Sequence, residues 1–436
     1  MAFVRKIKIR GRTYLVEVEG YRDKDGKVRQ RFRRYLGKVE DGKLIEPKYK
    51  RLEIKRLFPA GIQLMVKALA EEHGISVDNR LLCLATMHLI NPSSLNQVTK
   101  NFLRFGLDTF FGDISRSQFY TSLDMGEEEI YRLEIELYQG VKKARSVIFY
   151  DITSIYFYGS SCALAKRGYN PKGMLPQINI GLAVDREGIP LFHKIFRGNV
   201  HSASTLYLFI ECLKNAGIKG CTLILDRGFF SMKNIQLVTE SNYHIIVGVP
   251  LRGRFKVMMK KIRKEMRSIV LLKSTYIYVK EIPWEGGKLV FCYNEGEASN
   301  LKNLILRRRK KKDIELLGCY ALFCSNRDLE TKEVVKRYFE KDLIEKSFRS
   351  LKSVLGLSPV RHWLEWRINS HLFVCYLSYL ILKLLERKLS KEDISVFTAL
   401  DELKYVYKLV TTEGIEKIVA TTKMQKKILK ILKINI

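Results

Sequence analysis

The chain has 436 residues, of which 46% are hydrophobic and 28% are charged. This composition excludes a disordered tail and allows several structural units around at least one large core. Lysine and arginine number 78 against 46 aspartates and glutamates, which gives a formal net charge of +32. Because so positive a field attracts polyanions, we expect DNA or RNA as the partner.

A membrane surface is the rival polyanion. No segment approaches about 18 uninterrupted apolar residues, and the N-terminus lacks the apolar core of a signal peptide. We therefore expect a cytoplasmic, nucleoid-associated protein with no membrane partner. The eight cysteines are scattered without a CxxC pair, and we interpret them as reduced core residues rather than zinc ligands or disulfides.

Residues 1–56 predict a small basic β domain. Apolar and polar positions alternate on both sides of a turn at Asp25-Gly26, which is typical of an antiparallel sheet. The predicted strands carry many cations and few nearby acids, so we expect one face to contact the DNA backbone. A solvated strand face is the alternative. The candidate contacts are Arg31, Arg33 and Arg34.

Helical periodicity dominates two further regions. Residues 57–145 predict several short helices that serve as a DNA-binding or linker region. A helix-turn-helix and a plain packing bundle both fit this pattern, and no recognition helix can be identified. Residues 361–436 predict a C-terminal helical region, which includes one long apolar-faced helix.

A mixed α/β core is predicted for residues 146–250 and 326–360. Three apolar strands come first, with a tight turn at residues 185–188 between the second and third. A helix, a fourth strand, a second helix and a fifth strand complete the order βββαβαβ. Residues 251–325 differ in composition, with basic helical segments and a candidate hairpin that turns at Gly286-Gly287. We interpret this segment as an insertion into the core.

Three acids stand where an acid needs an explanation. Asp151 interrupts the apolar strand VIFYDITSIYF, Asp226 ends the fourth strand, and Glu345 lies on a predicted helix. A buried carboxylate is costly unless a cation pairs with it. Two divalent ions held by shared carboxylates would provide the pairing and would promote phosphodiester cleavage. Oxygen ligands favour Mg²⁺ or Mn²⁺. The structural alternatives are a turn-capping aspartate and an aspartate–arginine pair.

The predicted Glu345 helix has Thr331 as its N-cap and ends near Gly356. Its face carries four chemically distinctive side chains at offsets of 3, 4 and 7 residues, which fall within an arc of about 60°. These are Tyr338, Lys341, Glu345 and Lys352. The pattern favours a site for metal ions and phosphodiesters. The alternative is an exposed face with i,i+4 ion pairs.

Together, these motifs resemble the DDE insertion-sequence transposases of bacteria and archaea, in the branch with a ribonuclease H-like core and a Tyr-Arg-Glu-Lys signature. The resemblance covers residues 145–385 well and the N-terminal sheet more loosely. The matching segments are YDITSIYF, GYNPKGMLPQINIGLAVDREGIPLFHKIFRGNVHSASTL, LILDRGFFS and RYFEKDLIEKSFRSLKSVLGLSPVRHW.

The resemblance implies an α/β fold. This fold has a ribonuclease H-like catalytic core with a β-rich insertion, an N-terminal basic β domain and flanking helical regions. It also implies that Asp151, Asp226 and Glu345 are catalytic metal ligands, and that Tyr338 and Lys352 contact DNA phosphates at the cut end.

Three further DNA-binding candidates accompany these residues. Lys341 stands where the signature has arginine, which keeps the charge but loses the bidentate fork. Arg349 lies on the same predicted helix. Trp284, beside the predicted hairpin turn, is a candidate to stack on a base extruded near the cut end, with strand packing as the alternative.

The implied activity is DNA transposition. Such an enzyme binds the terminal inverted repeats of its element, cleaves there with two Mg²⁺ (or Mn²⁺) ions and joins the ends to double-stranded target DNA. A homodimer in a synaptic complex is the family expectation. The alternatives are a ribonuclease H-like nuclease or resolvase without strand transfer, and a domesticated DNA-binding protein without metal.

Overall fold

The computed structural model describes residues 2–45, 53–141, 146–159, 162–168, 175–272, 274–308, 314–360 and 362–435. Within these ranges, residues 303–308 are described by their backbone alone. Two compact units are present. The smaller consists of Met1–Leu57 and Leu409–Lys417, and the larger of Phe58–Lys408 and Ile418–Ile436.

The smaller unit contains an antiparallel sheet of four consecutive strands, in the order β1-β2-β3-β4. These are β1 (Ala2–Ile9), β2 (Arg12–Arg22), β3 (Val28–Glu40) and β4 (Lys43–Ile45). Gly26 closes the β2–β3 turn with a φ of +77° and donates its N–H to Asp23 at 3.0 Å. The predicted antiparallel basic sheet and its turn are confirmed.

A separate three-stranded sheet has the order β16-β15-β5, formed by β5 (Ile54–Pro59), β15 (Tyr407–Thr411) and β16 (Glu416–Val419).

Residues 61–141 of the larger unit are helical, as their periodicity predicts. The helices are α1 (Gly61–Glu72), α2 (Asn79–Ile90), α3 (Leu95–Asn101), α4 (Leu107–Phe111), α5 (Arg116–Ser122) and α6 (Glu127–Val141). The C-terminal region adds α13 (Glu365–Leu389), α14 (Val396–Leu403) and α15 (Lys423–Ile431).

Helix α13 bears on whether any segment could span a membrane, although Asn369 and Lys383 interrupt it and it contains no run of about 18 apolar residues. Within the described residues it is the one helix that is long and apolar enough to do so by length and composition. However, 89% of its most apolar window is buried inside the protein. We therefore interpret α13 as a core helix, and it packs against α2 and β8 (Pro190–Arg197).

The predicted core order βββαβαβ is confirmed. Its strands are β6 (Val147–Tyr156), β7 (Gln177–Asp185), β8, β9 (Thr222–Leu225) and β10 (His244–Val249), and its helices are α7 (Ser202–Asn215) and α8 (Met232–Glu240). Strands β6, β7 and β8 are antiparallel, whereas β9 pairs in parallel with β6 and β10. The spatial order β8-β7-β6-β9-β10 is that of a ribonuclease H-like core.

The insertion continues the core sheet. Strand β14 (Cys319–Cys324) pairs antiparallel with β10, and β13 (Gly287–Asn294), β12 (Thr275–Trp284) and β11 (Ser268–Leu272) follow outward. The predicted hairpin is the β12–β13 pair, where Trp284 lies opposite Gly287. Two helices, α9 (Gly253–Arg263) and α10 (Glu295–Arg308), connect these strands. The result is one nine-stranded sheet.

The prediction of one continuous helix from Thr331 to near Gly356 is wrong. The segment consists of α11 (Thr331–Phe339), α12 (Asp342–Arg349) and a π-helical turn (Ser350–Val354), and the N-cap is Glu330 rather than Thr331. The break lies at Glu340 and Lys341. Arg186, on the β7–β8 turn, donates to both carboxylate oxygens of Glu340 at 2.9 and 2.7 Å. This bidentate pair fixes the break against the core sheet.

Candidate active site

Asp151 and Asp226 lie on neighbouring parallel strands. Tyr150 of β6 lies directly opposite Leu225 of β9. Asp151 is the next residue after Tyr150, and Asp226 is the next residue after Leu225. Strand β9 ends there, whereas β6 continues to Tyr156 and pairs only with β7. The two aspartates therefore lie at the same level of the sheet. Beyond this level the chain after β9 no longer pairs with β6, so one edge of β6 has no neighbouring strand among the described residues.

The break between α11 and α12 brings a cation and a phenol to this position. The ammonium nitrogen of Lys341 lies 2.9 Å from Oδ1 of Asp226 and 3.8 Å from Oε1 of Glu345. The Tyr338 hydroxyl donates to the same Asp226 oxygen at 3.4 Å. Thus the structure brings Asp226, Glu345, Lys341 and Tyr338 together, although they do not share one continuous helix.

The electrostatics of the site differ between its two aspartates. Burial raises the pKa of Asp151 to about 6, and the negative charges of Asp226 and Glu345 raise it further. The backbone N–H of Ile152 donates to Oδ1 of Asp151 at 2.8 Å and acts in the opposite direction. Burial also disfavours the charge of Asp226, but the charge and hydrogen bond of Lys341 outweigh it and lower the pKa of that carboxyl. The site therefore concentrates negative charge that a single ammonium only partly neutralises.

The donor set fits hard divalent cations. All three carboxylates offer oxygen ligands, the kind that Mg²⁺ and Mn²⁺ prefer. The side chains of Asp226 and Glu345 are 38% and 55% exposed, so the site is open to ions and substrate. The ammonium of Lys341 lies beside Asp226 and Glu345 and balances part of their negative charge. Asp151, Asp226 and Glu345 are therefore the residues that would hold the ions.

Lys352 lies beside the same strand, just beyond Asp151. Its ammonium donates to the hydroxyl of Thr153 at 2.6 Å and to the carbonyl of Ser154 at 2.8 Å. Burial lowers the pKa of this lysine. The Ser154 hydroxyl donates in turn to Asn179 on β7 at 2.7 Å. Sequence reasoning missed these supporting residues, because a single threonine, serine or asparagine in a strand carries no distinctive signal.

Gly248 of β10 is a further residue that sequence reasoning missed. A Cβ atom placed on Gly248 would lie 2.4 Å from the Tyr338 hydroxyl oxygen and 3.2 Å from the backbone nitrogen of Arg227. Only glycine allows Tyr338 to approach the sheet this closely. A signal was available, since a glycine inside the apolar strand HIIVGV indicates a close approach by another group.

The remaining DNA-binding candidates are farther apart in the fold. Arg349 is an exposed residue of α12. Trp284 packs against Phe255 of α9 with a ring separation of 5.6 Å, and the Arg254 guanidinium lies 4.7 Å from its ring centre. Its indole N–H is buried without a hydrogen-bond partner. This packing supports the structural alternative, and base stacking by Trp284 stays a prediction.

The N-terminal arginines require a correction. Arg31, Arg33 and Arg34 are exposed on β3, as expected, but the prediction of few nearby acids is wrong. Arg33 pairs with Glu19 at 3.3 Å, and Arg34 pairs with Glu17 at 2.7 Å. Both acids are on β2, and they alternate with the apolar positions that form the buried face. The net positive charge of this surface is therefore smaller than the arginine count indicates.

Comparison with known protein families agrees with this geometry. A family model described as a transposase DDE domain matches residues 142–381, which is more than half of the chain and includes all three acids. No curated protein sequence matches. A solved cryo-EM structure of a piggyBac transposase synaptic complex with hairpin DNA is similar over 79% of this chain and 76% of that chain, with 13% identity and a TM-score of 0.47. This likeness is too low to infer function from.

Proposed function

This chain belongs to the DDE transposase family, and on that basis we propose that it cuts the ends of its own DNA element and joins them to target DNA. The observation that carries the proposal is the convergence of Asp151, Asp226 and Glu345 around Lys341 within the matched domain. When bound there, Mg²⁺ or Mn²⁺ ions, two per site, would activate the attacking oxygen and stabilise the leaving 3′ oxygen.

The protein's own residues have separate tasks in this proposal. Asp151 and Asp226 are set by the sheet, and Glu345 by the helix that the Arg186–Glu340 pair holds in place. Tyr338, Lys341 and Lys352 would contact phosphates beside the carboxylates, and the exposed Arg349 would contact a phosphate elsewhere along the DNA. Lys341 would have to leave Asp226 when a divalent cation replaces it, and its ammonium is then free to bind a phosphate.

DNA binding relies mainly on charge. Many of the 78 lysines and arginines would replace counterions along the duplex, including Arg31, Arg33 and Arg34 on the N-terminal sheet. The protein would act in the cytoplasm on nucleoid DNA, as a homodimer that holds two element ends. Terminal inverted repeats beside the gene would identify those ends.

A strand-transfer assay tests the proposal. Labelled DNA that carries the gene-flanking repeats is incubated with protein, Mg²⁺ and a supercoiled target plasmid. We expect nicks at the repeat ends and labelled products joined to the plasmid. Cleavage without joined products would support a nuclease or resolvase instead. Binding to the repeats without any cleavage, in either Mg²⁺ or Mn²⁺, would support a domesticated DNA-binding protein.

A further inference from the structure

A second cluster of potential metal ligands lies in the core, apart from the carboxylates. His88, His371 and Cys375 each offer one ligand atom, and these atoms lie within 4.8 Å of one another. All three residues are buried. His371 and Cys375 stand one turn apart on α13, so they face the same side, and His88 reaches them from the last turn of α2.

The two sulfur–nitrogen separations are close to those of a tetrahedral zinc site. Nδ1 of His88 and Nε2 of His371 each lie 3.9 Å from Sγ of Cys375. With Zn–S and Zn–N bonds of about 2.3 and 2.1 Å, the sulfur and a nitrogen on one tetrahedral zinc ion are roughly 3.6 Å apart. Each sulfur–nitrogen distance would have to shorten by a few tenths of an ångström, and the two nitrogens, which lie within 4.8 Å of each other, would have to come to about 3.4 Å.

The surroundings provide room for a fourth ligand. A cavity of about 140 Å³ is lined by His88 and His371, and also by His362 and Ser93. The His362 ring centre lies 5.6 Å from that of His371, and the Ser93 hydroxyl is buried without a hydrogen-bond partner. A water molecule in this cavity, held by Ser93, can complete the coordination of an ion bound by three protein ligands.

We propose that His88, His371 and Cys375 bind one zinc ion. The nitrogen and sulfur donors select a borderline-soft metal, in contrast to the oxygen donors of the carboxylate site. Binding converts the Cys375 thiol to a thiolate and releases its proton to solvent. This inference departs from the interpretation of every cysteine as a plain core residue.

The cluster lies against the end of the segment that carries Lys352. The backbone carbonyl of Leu355 accepts a hydrogen bond from Nδ1 of His88 at 2.5 Å and one from the Cys375 thiol at 3.6 Å. Leu355 follows the π-helical turn directly. A zinc ion would replace these two hydrogen bonds with bonds between α2 and α13, and would fix the surface on which Leu355 rests.

Metal analysis of the full-length protein tests the site. The Asp226→Asn background is used throughout, so that the carboxylate site contributes little metal. Zinc is measured by mass spectrometry after purification without chelators. We expect one zinc per chain in this parent, its loss in Cys375→Ser, and its retention in Cys83→Ser, which alters another buried cysteine outside the cluster. Equal zinc in the parent and in Cys375→Ser would overturn the proposal.

Cobalt substitution provides a readout that does not depend on a folded variant. Replacing zinc by Co²⁺ in the parent should give a near-ultraviolet charge-transfer band from a cobalt–thiolate bond, together with the visible bands of a tetrahedral ion. His371→Gln should weaken the visible bands. A parent protein that shows no thiolate band with Co²⁺ would also overturn the proposal, whether or not Cys375→Ser folds.

Discussion

The ammonium nitrogen of Lys341 lies 2.9 Å from the Oδ1 atom of Asp226, at the point where a divalent cation would be expected. The same nitrogen is 3.8 Å from Glu345. Lys341 therefore compensates part of the negative charge of the site. The arginine of the family signature is a lysine here, and a compact ammonium suits this position between two carboxylates.

Removing this cation should tighten metal binding in the absence of DNA. In Lys341→Met, Asp226 and Glu345 lose a competing positive charge, so we expect the Kd for Mn²⁺ to fall on the order of tenfold, which corresponds to about 1.4 kcal/mol. The measurement is isothermal titration calorimetry. Lys346→Met is the matched control, because Lys346 is on α12, the helix that begins directly after Lys341, and pairs with Asp342 at 2.7 Å instead. Unchanged Mn²⁺ affinity in Lys341→Met would contradict this role.

Asp151 should destabilise the metal-free fold at neutral pH. Its folded-state pKa is raised to about 6, whereas the unfolded chain ionises near about 4. The folded state thus holds a proton that the unfolded state has lost, and stability falls as pH rises from about 4 to 6. Asp151→Asn removes this loss. We expect the variant to be more stable than the wild type by about 1–3 kcal/mol at pH 8.

Urea unfolding in metal-free buffer at pH 4, 6 and 8 measures this difference. The difference in unfolding free energy between Asp151→Asn and the wild type should shrink toward zero at pH 4, because the wild-type carboxyl is then protonated and uncharged in the folded state. Asp342→Asn serves as a control, since Asp342 is an exposed acid of α12. An Asp151→Asn protein that is less stable than the wild type at pH 8 would show that the ionised carboxylate stabilises the fold rather than destabilising it.

Gly248 should be required for the position of Tyr338. Gly248→Ala forces its new Cβ to within 2.4 Å of the Tyr338 hydroxyl, so the phenol has to move away from Asp226. We expect slower DNA cleavage and a loss of about 1–3 kcal/mol in stability. The double variant with Tyr338→Phe lacks that oxygen, and it should regain part of the stability. Identical destabilisation in both backgrounds would place the clash elsewhere, at the Arg227 backbone.

The N-terminal sheet should contribute to DNA affinity according to its net charge. Reversing Arg31, Arg33 and Arg34 to glutamate should weaken binding and flatten the salt dependence, since fewer counterions are released. Glu17→Gln with Glu19→Gln is the matched opposite change. It frees Arg34 and Arg33 from their ion pairs and should strengthen binding. Fluorescence anisotropy at several salt concentrations measures both. If neither set changes the affinity, the sheet does not contact DNA.

The order of strands and helices along the core could be predicted from sequence, and its acids could be singled out as candidates, because both leave local signals. An aspartate inside VIFYDITSIYF is conspicuous, and the apolar strands around it are short and separated by turn residues. Strand pairing then fixes the neighbourhood of Asp151 and Asp226. The hairpin of the insertion was likewise visible in its alternation and its two glycines.

The break in the Glu345 helix could not be predicted in this way. Helical periodicity continues through Glu340, and its partner Arg186 is 154 residues away in the chain. The same is true of His88 and Cys375, which are 287 residues apart and meet only because α2 packs on α13. The acids opposite Arg33 and Arg34 were visible in the sequence, but their pairing depends on the strand register.

The most direct test of the central claim is Mg²⁺-dependent nicking of labelled element-end DNA by three variants, Asp151→Asn, Asp226→Asn and Glu345→Gln. Each change is nearly isosteric and removes one negative ligand, so metal binding fails while the cations that bind DNA remain. We predict that all three bind the end DNA as the wild type does and produce no nicks in Mg²⁺ or Mn²⁺. Near-normal nicking in Mg²⁺ by any one of them would contradict the assignment of that carboxylate and the proposed activity with it.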